Sequence, residues 1–289
     1  MALGTICLDA GHYGKYNRSP AVKAYYESDM AWKLTMLQKK YLEQYGFPVI
    51  LTRSDKDKDM SVTSRGRMAK GCILFVSNHS NAVGSKVDES VDYASVYHLT
   101  NDSTTKADNI SMEIAAKIAP VIAETMGTKQ GYKILSRKSD YDRNGDGVMN
   151  DNYYGVLHGA RSVGVPGLIL EHSFHTNTRS TNWLLDDSNL DKMAKAEAAA
   201  IAAYFGVESP VTGGSSSGSS SSGKAEKTPY KVKITASVLN VRKGAGTKYA
   251  VATTVKKGEV YTIVDEKNGW GKLKSGAGWI SLKYTKTLK

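Results

Sequence analysis

Residues 5–12 read Thr5-Ile6-Cys7-Leu8-Asp9-Ala10-Gly11-His12. A short apolar run closed by a turn residue reads as a buried strand of an α/β sheet. Two later segments repeat the pattern. Ile73-Leu74-Phe75-Val76-Ser77-Asn78 ends at His79, and Val165-Pro166-Gly167-Leu168-Ile169-Leu170 ends at Glu171. Helical stripes fall between and after these runs. Met30, Leu34, Leu37 and Tyr41 line one face of a predicted helix from Glu27 to Tyr45. Ile110, Ile114, Ile118, Val121 and Ile122 mark a second, and Leu190, Met193, Ala194, Ala198, Ile201 and Phe205 a terminal one. Stripes at this spacing are core faces. Strands alternating with helices predict an α/β domain whose mixed, mostly parallel sheet is flanked by helices.

In such sheets ligand-binding groups gather at the carboxyl ends of the strands. Four residues qualify: His12, Glu27, His79 and Glu171. Two imidazoles and a carboxylate in one cleft suit a catalytic zinc, which keeps a position open for water. A further carboxylate can then serve as the base for that water. Singly, each residue has a blander reading. A His after a strand is more often a hydrogen-bonded structural residue, and an acid opening a helix usually complements its dipole. Glu171, set directly after Leu168-Ile169-Leu170, would be costly to bury without a partner or a task. His175, four residues further on, is within reach of the same cleft, and spacing alone leaves open a metal set with His175 in place of Glu27. Strand alternation turns His172 away from it.

These segments carry a family resemblance. Leu8-Asp9-Ala10-Gly11-His12 resembles the opening motif of the zinc-dependent N-acetylmuramoyl-L-alanine amidases of bacterial autolysins and phage endolysins. Four further matches follow in that family's order: Glu27, Leu51-Thr52-Arg53, Arg65 in a helical stretch, and Ser77-Asn78-His79-Ser80-Asn81-Ala82. Leu170-Glu171-His172-Ser173-Phe174-His175-Thr176-Asn177 then resembles the family's catalytic segment, with Ser173 where a Gly is usual. The resemblance spans about residues 3 to 206, and the stretch 139–152 departs from it. It implies one zinc per chain held by His12, Glu27 and His79, with Glu171 as the catalytic carboxylate. The bond cut would join the lactyl group of N-acetylmuramic acid to L-alanine. Within this pattern His175 is a substrate contact or a neighbour of the ligands rather than a ligand.

Composition sets bounds. At 289 residues the chain is long enough for one large domain and a small one. No run of 18 or more apolar residues suggests a membrane span. Met1-Ala2-Leu3-Gly4 has no basic region and the apolar stretch breaks at Asp9, so no signal peptide is expected. Cys7 and Cys72 are expected as reduced thiols inside buried strands.

Charge is unevenly spread. The chain carries 39 basic and 28 acidic residues, a net charge of +11. Residues 224–289 hold 15 basic and 4 acidic ones, which accounts for all of the excess. A basic module implies a polyanionic partner or a surface that only aids solubility. No nucleic-acid-binding signature is present in it, so anionic wall polymers are the expected partner beside bacterial peptidoglycan. Ser209-Pro210-Val211-Thr212-Gly213-Gly214 and the Ser/Gly run that follows read as a flexible linker. About twenty such residues reach roughly 25 Å. The expected organisation is a catalytic domain over 1–208, a linker over 209–228 and a wall-binding domain over 229–289. In the last part, Val260-Tyr261-Thr262-Ile263-Val264 and Trp279-Ile280-Ser281-Leu282 read as strands, with a turn at Ser275-Gly276-Ala277-Gly278. Such a pattern predicts a small barrel. Leu239-Asn240-Val241-Arg242, Gly269-Trp270 and Gly278-Trp279-Ile280 resemble the bacterial SH3-like domain that binds cell walls.

Asp142-Arg143-Asn144-Gly145-Asp146-Gly147 matches the first half of a calcium loop, making Asp142, Asn144 and Asp146 candidate calcium ligands. Tyr153 stands where a bidentate Glu is expected, with Asp151 or Asn152 as the substitute the sequence offers, and the same residues also favour a plain turn. The amidase reading has alternatives: a zinc peptidase of the peptidoglycan stem, or a wall-binding protein with a dead catalytic domain. A phage endolysin made in the host cytoplasm and released through a holin is the expected setting, with a bacterial autolysin as the alternative.

Overall fold

The computed structural model describes residues 3–100, 105–210, 229–246, 249–267 and 269–288. Residues 211–228 of the predicted linker, and Met1 and Ala2, lie outside them. The chain divides into two compact units, 1–215 and 216–289.

The first unit runs β1 (Ile6–Ala10), α1 (Glu27–Gln44), β2 (Val49–Leu51), α2 (Val62–Arg67), β3 (Leu74–Asn81) and β4 (Ala94–His98). It continues through α3 (Lys106–Met126), β5 (Tyr132–Leu135), α4 (Gly155–Ser162), β6 (Gly167–Phe174), α5 (Thr178–Leu185) and α6 (Asp187–Tyr204). The strands form one sheet in the order β2-β1-β3-β6-β4-β5, parallel except where β4 meets β6. Strand alternation sorts the apolar side chains onto two faces. Ile6, Leu8, Leu74, Val76, Leu168 and Leu170 pack with residues of α1, α3 and α6. Cys7, Phe75 and Ile169 pack with Val156, Leu157 and Ala160 of α4. All three helical stripes read from the sequence are found. Cys7 is buried in β1, but Cys72 is only half-buried and precedes β3, a correction to its expected place inside a strand. The strand stops short because Gly71, at φ +82°, turns the chain just before it.

Register decides where the strand ends fall. Ala10 lies beside Asn78, Asn78 beside Leu170, and His79 beside Glu171. Three strand ends therefore open on one edge of the sheet. Asp9, fully buried one residue before the end of β1, fixes that edge. Its carboxylate accepts from Arg65 Nε at 2.8 Å and Nη2 at 2.6 Å, from Thr52 Oγ1 at 2.5 Å and from Ser77 Oγ at 2.6 Å. Arg65 and Arg53 both donate to the Ala10 carbonyl, at 2.8 and 2.6 Å. The sequence segments around Thr52, Arg53, Arg65 and Ser77 thus converge on one carboxylate and the peptide after it.

The second unit holds β7 (Tyr230–Ile234), β8 (Val238–Arg242), β9 (Val251–Lys256), β10 (Val260–Lys267), β11 (Trp270–Leu273), β12 (Trp279–Ser281) and β13 (Thr285–Leu288). Every pairing is antiparallel, in the order β13-β7-β10-β11-β12-β8-β9. Its core is Val232, Ile234, Leu239, Val241, Val255, Ile263, Leu273 and Ile280. It is the all-β module that the sequence predicted. Among the described residues no helix is long and apolar enough to cross a membrane.

Burial alone would raise the Asp9 carboxyl, but Arg65, Ser77 and Thr52 outweigh it and hold it below the usual range. Such a group adds stability above its unfolded pKa of about 3.9 and loses it as pH falls through the folded value. Arg65→Met should cost about 3–5 kcal/mol at neutral pH, since it strands a buried charge. It should also reverse the trend: the orphaned carboxyl would rise above its unfolded value, so the variant should lose stability as pH climbs from about 4 to 7. Chemical denaturation across that range checks both.

Candidate metal centre and catalytic cleft

Gly11 begins the construction of the site. Its amide donates to the Asn78 carbonyl at 3.0 Å. A Cβ there would lie 2.5 Å from His79 Cε1 and 2.6 Å from the Asn78 oxygen, so no other residue lets the two strand ends close up. His12 follows in the left-handed region at φ +58°, a strained conformation for a residue with a side chain. Its ring stacks on Tyr16 at 5.0 Å and meets the His79 ring edge-on at 5.0 Å. Glu27, the first residue of α1, is 2 % exposed and lies between the two imidazoles. Its Oε1 is 3.1 Å from His12 Nε2 and 2.8 Å from His79 Nδ1.

These donor atoms all lie within 4.8 Å of one another, the one such group among the described residues. Asn17, itself at φ +51°, donates to Glu27 Oε2 at 2.7 Å, and the Ser80 amide donates to Oε1 at 3.1 Å. Burial would raise the Glu27 carboxyl, but the two imidazoles beside it, His12 and His79, hold it below the usual range. Burial lowers His79 despite Glu27, favouring the neutral imidazole that a metal requires.

The tautomer of His79 follows from the carboxylate behind it. Ionised Asp9 only accepts, so Ser77 must spend its one hydroxyl proton on it. The Ser77 oxygen, 3.1 Å from His79 Nε2, then accepts from that nitrogen. His79 Nδ1 is left with its lone pair facing the Glu27 cluster. Two imidazoles and a carboxylate gathered in this way fit zinc.

Glu171 faces the same cleft from β6, in register with His79. Its Oε2 is buried without a hydrogen-bond partner, and burial with the Glu27 charge pushes its carboxyl well above the ordinary range. The cleft, about 360 Å³, is lined by His12, Glu27, His79 and Glu171, and by Asn81, Ala82, Tyr154 and Gly155 on its walls.

His175 lines the cleft but is engaged elsewhere. Its Nδ1 is 2.9 Å from Ser80 Oγ and 4.0 Å from Glu27 Oε2, and its ring stacks on Tyr25 at 5.9 Å. His172 points through the sheet, as alternation predicts. It is fully buried, contacts Glu197 of α6 at 2.7 Å, and its Nδ1 lies 2.9 Å from the His79 carbonyl. Glu197 in turn accepts from Gln38, which accepts from Asn78. Ser173, which replaces the family's usual Gly, adopts φ +55° and is held there by its bond to Asp92 at 2.9 Å. Sequence reading missed Asn17 and Tyr16. The only available signal was Asn17 itself, a residue that tolerates the left-handed region.

The middle of the segment 139–152 is held by local hydrogen bonds. Asp142 accepts from the amides of Asn144, Gly145 and Gly147, and Asn144 donates its side-chain amide to Asp146 at 2.9 Å. The candidate calcium ligands Asp142, Asn144 and Asp146 thus lie in a turn whose carboxylates, side-chain amide and backbone amides bond to one another.

The profile of the N-acetylmuramoyl-L-alanine amidases matches residues 6–203. The chain belongs to that family. A bacterial SH3 domain profile matches residues 237–286, within the second unit of the amidase. Among solved structures it is similar to Cwp6 from Clostridium difficile, at 23 % identity and a TM-score of 0.57, over 70 % of this chain and 29 % of that one. It is also similar to the catalytic domain of CwlV, an N-acetylmuramoyl-L-alanine amidase from Bacillus (Paenibacillus) polymyxa var. colistinus. There the identity is 20 % and the TM-score 0.54, over 71 % of this chain and 99 % of that one. An N-acetylmuramoyl-L-alanine amidase from Clostridium difficile 630 gives 19 % and 0.57, over 72 % and 100 %. These likenesses show a shared fold. No curated protein sequence matches the amidase.

Ser77→Ala should leave the amidase folded while freeing His79 to adopt the other tautomer. Loss of such an outer partner typically costs about 10–100-fold in metal affinity. Chelator competition reads it directly, and an unchanged affinity would remove Ser77 from this role.

Proposed function

We propose that this amidase is a zinc-dependent peptidoglycan hydrolase cutting the amide between N-acetylmuramic acid and L-alanine. One zinc per chain would be held by His12, Glu27 and His79, with Glu171 as general base. The observation that carries the reading is the pair of carboxylates in opposite settings across one cleft. Glu27 is held ionised between two imidazoles, while Glu171 keeps a buried oxygen without a partner. Bound zinc would supply a Lewis acid that polarises the scissile carbonyl and acidifies water.

The remaining work falls to the chain. Glu171 Oε2, free of protein partners, accepts the proton of the attacking water. Burial favours the protonated carboxyl, which then returns the proton to the leaving amine. Asn17 and the Ser80 amide keep Glu27 in place throughout. A zinc peptidase would share this centre, and the released group tells them apart. New N-terminal alanine from purified walls marks the amidase; a new diamino-acid terminus marks the peptidase.

For the second unit we propose wall targeting, through peptidoglycan and anionic wall polymers. The whole chain would act as a phage endolysin, made in the host cytoplasm and released through a holin. An adjoining small gene encoding membrane helices would support that setting. A sporulation or division locus would instead favour a bacterial autolysin.

Glu171→Gln should keep its zinc and its melting temperature and lose about 10²–10⁴ in turnover of a soluble muropeptide. An unchanged rate would move the role elsewhere, His175 being the next group in the cleft. Residues 229–289 alone should bind walls, and residues 1–208 should stay active on soluble substrate while clearing intact cells poorly, because the tether raises effective concentration. Sedimentation with purified walls and turbidity assays check this.

A further inference from the structure

We propose that the outer face of β7 and β13 is a binding site for a phosphodiester-bearing wall polymer, formed by Lys231, Lys233 and Lys286. The proposal rests on the wall-targeting reading of the second unit and assigns that role to one surface and one ligand chemistry. Antiparallel pairing sets Lys286 directly opposite Lys233 and Leu288 opposite Lys231. On the other flank Val260 lies opposite Lys233 and Thr262 opposite Lys231. Val232 and Ile234, the alternate residues of β7, are buried, so all three lysines stand exposed on the solvent side.

Like charges directly opposite in a sheet are destabilising. In the first unit, lysines find carboxylates: Lys15 meets Asp29, Lys33 meets Asp187 and Lys39 meets Glu43. Among the described residues of the second unit no such ion pair forms. Its described acids are engaged elsewhere. Glu259 accepts from the Lys256 amide and the Tyr261 hydroxyl, Glu266 from the Tyr230 hydroxyl, and Asp265 lies opposite Lys272. Among the described residues the stripe is therefore uncompensated, and an external anion relieves its repulsion.

The spacing favours a polymer. Two residues along a strand are about 6.8 Å apart and paired residues across strands about 4.5–5.5 Å. A chain with a phosphate every few bonds can meet all three ammonium groups. Lysine suits this as a point charge for phosphate. Nucleic acid carries phosphates too, but its single strands are held by aromatic platforms under the bases. The neighbours here are Val260, Thr262 and Leu288, a small aliphatic and hydroxyl surface that suits a polyol backbone.

The test uses the full chain and poly(glycerol phosphate) as the probe. Replacing Lys231, Lys233 and Lys286 together by Ser should weaken binding at least about tenfold and lower the slope of log K against log salt by about two to three, near one per lysine removed. Melting should be unchanged or raised, since a like-charge pair is removed. A control replacing Lys243, Lys256 and Lys272 by Ser removes equal charge from β9, β11 and the residue after β8, and should keep most of the affinity and slope. Equal loss in both variants, no loss in the first, or equal wild-type affinity for single-stranded DNA of matched charge would each overturn the site. Wild-type turnover of a soluble muropeptide, measured alongside, tests the amidase reading separately, since it needs no polymer.

Discussion

The first unit depends on one buried ion pair. Asp9 is sealed from solvent at the end of β1, where a lone carboxylate would be prohibitively costly. Arg65 meets it through two nitrogens, and Thr52 and Ser77 fill its remaining lone pairs. These partners come from α2, from the residue after β2 and from β3, so the pair ties four segments to one point. The same arginine reaches the Ala10 carbonyl and holds the chain where it leaves the sheet toward Gly11 and His12. Strand register alone would bring the ends together; the ion pair makes the junction rigid.

That rigidity passes into the chemistry through Ser77. A hydroxyl committed to Asp9 can only accept from His79, and this selects the imidazole nitrogen that faces Glu27. The opposite face of the sheet repeats the logic. His172, Glu197, Gln38 and Asn78 form a fully buried polar chain beneath the His79 carbonyl. Two networks thus grip one residue, its ring from one side and its peptide from the other. Glu27 and Glu171 then differ by surroundings alone, one flanked by imidazoles and the other without a hydrogen-bonding partner for its buried oxygen. Environments that push two carboxyls apart assign the acid and base roles in many hydrolytic sites.

The two units divide the electrostatics as they divide the labour. The first balances its charges internally, spending arginines and lysines on carboxylates of its own surface and core. The second holds the whole excess, in strands whose like charges sit face to face. A neutral catalytic unit can leave each cut site freely, while a cationic one can hold an anionic matrix at many weak points.

The sequence by itself determined the α/β class, the three long helices, the all-β second module and the identity of His12, Glu27, His79 and Glu171 as chemically odd residues. Apolar periodicity and strand-end position are local signals, and local signals are written in neighbouring residues. It could not decide which polar groups meet. Whether Glu27 or His175 joins the two imidazoles depends on packing: Ser80 and Tyr25 occupy His175, while Asn17 and the Ser80 amide hold Glu27 between the rings. The calcium-like segment shows the same limit, since a spacing of oxygens does not say which of them backbone amides engage. The tautomer of His79 required Asp9, Ser77 and Arg65 at once, from three distant parts of the chain. Contacts over such separations are fixed by sheet register and burial, and these exist only once the chain has folded.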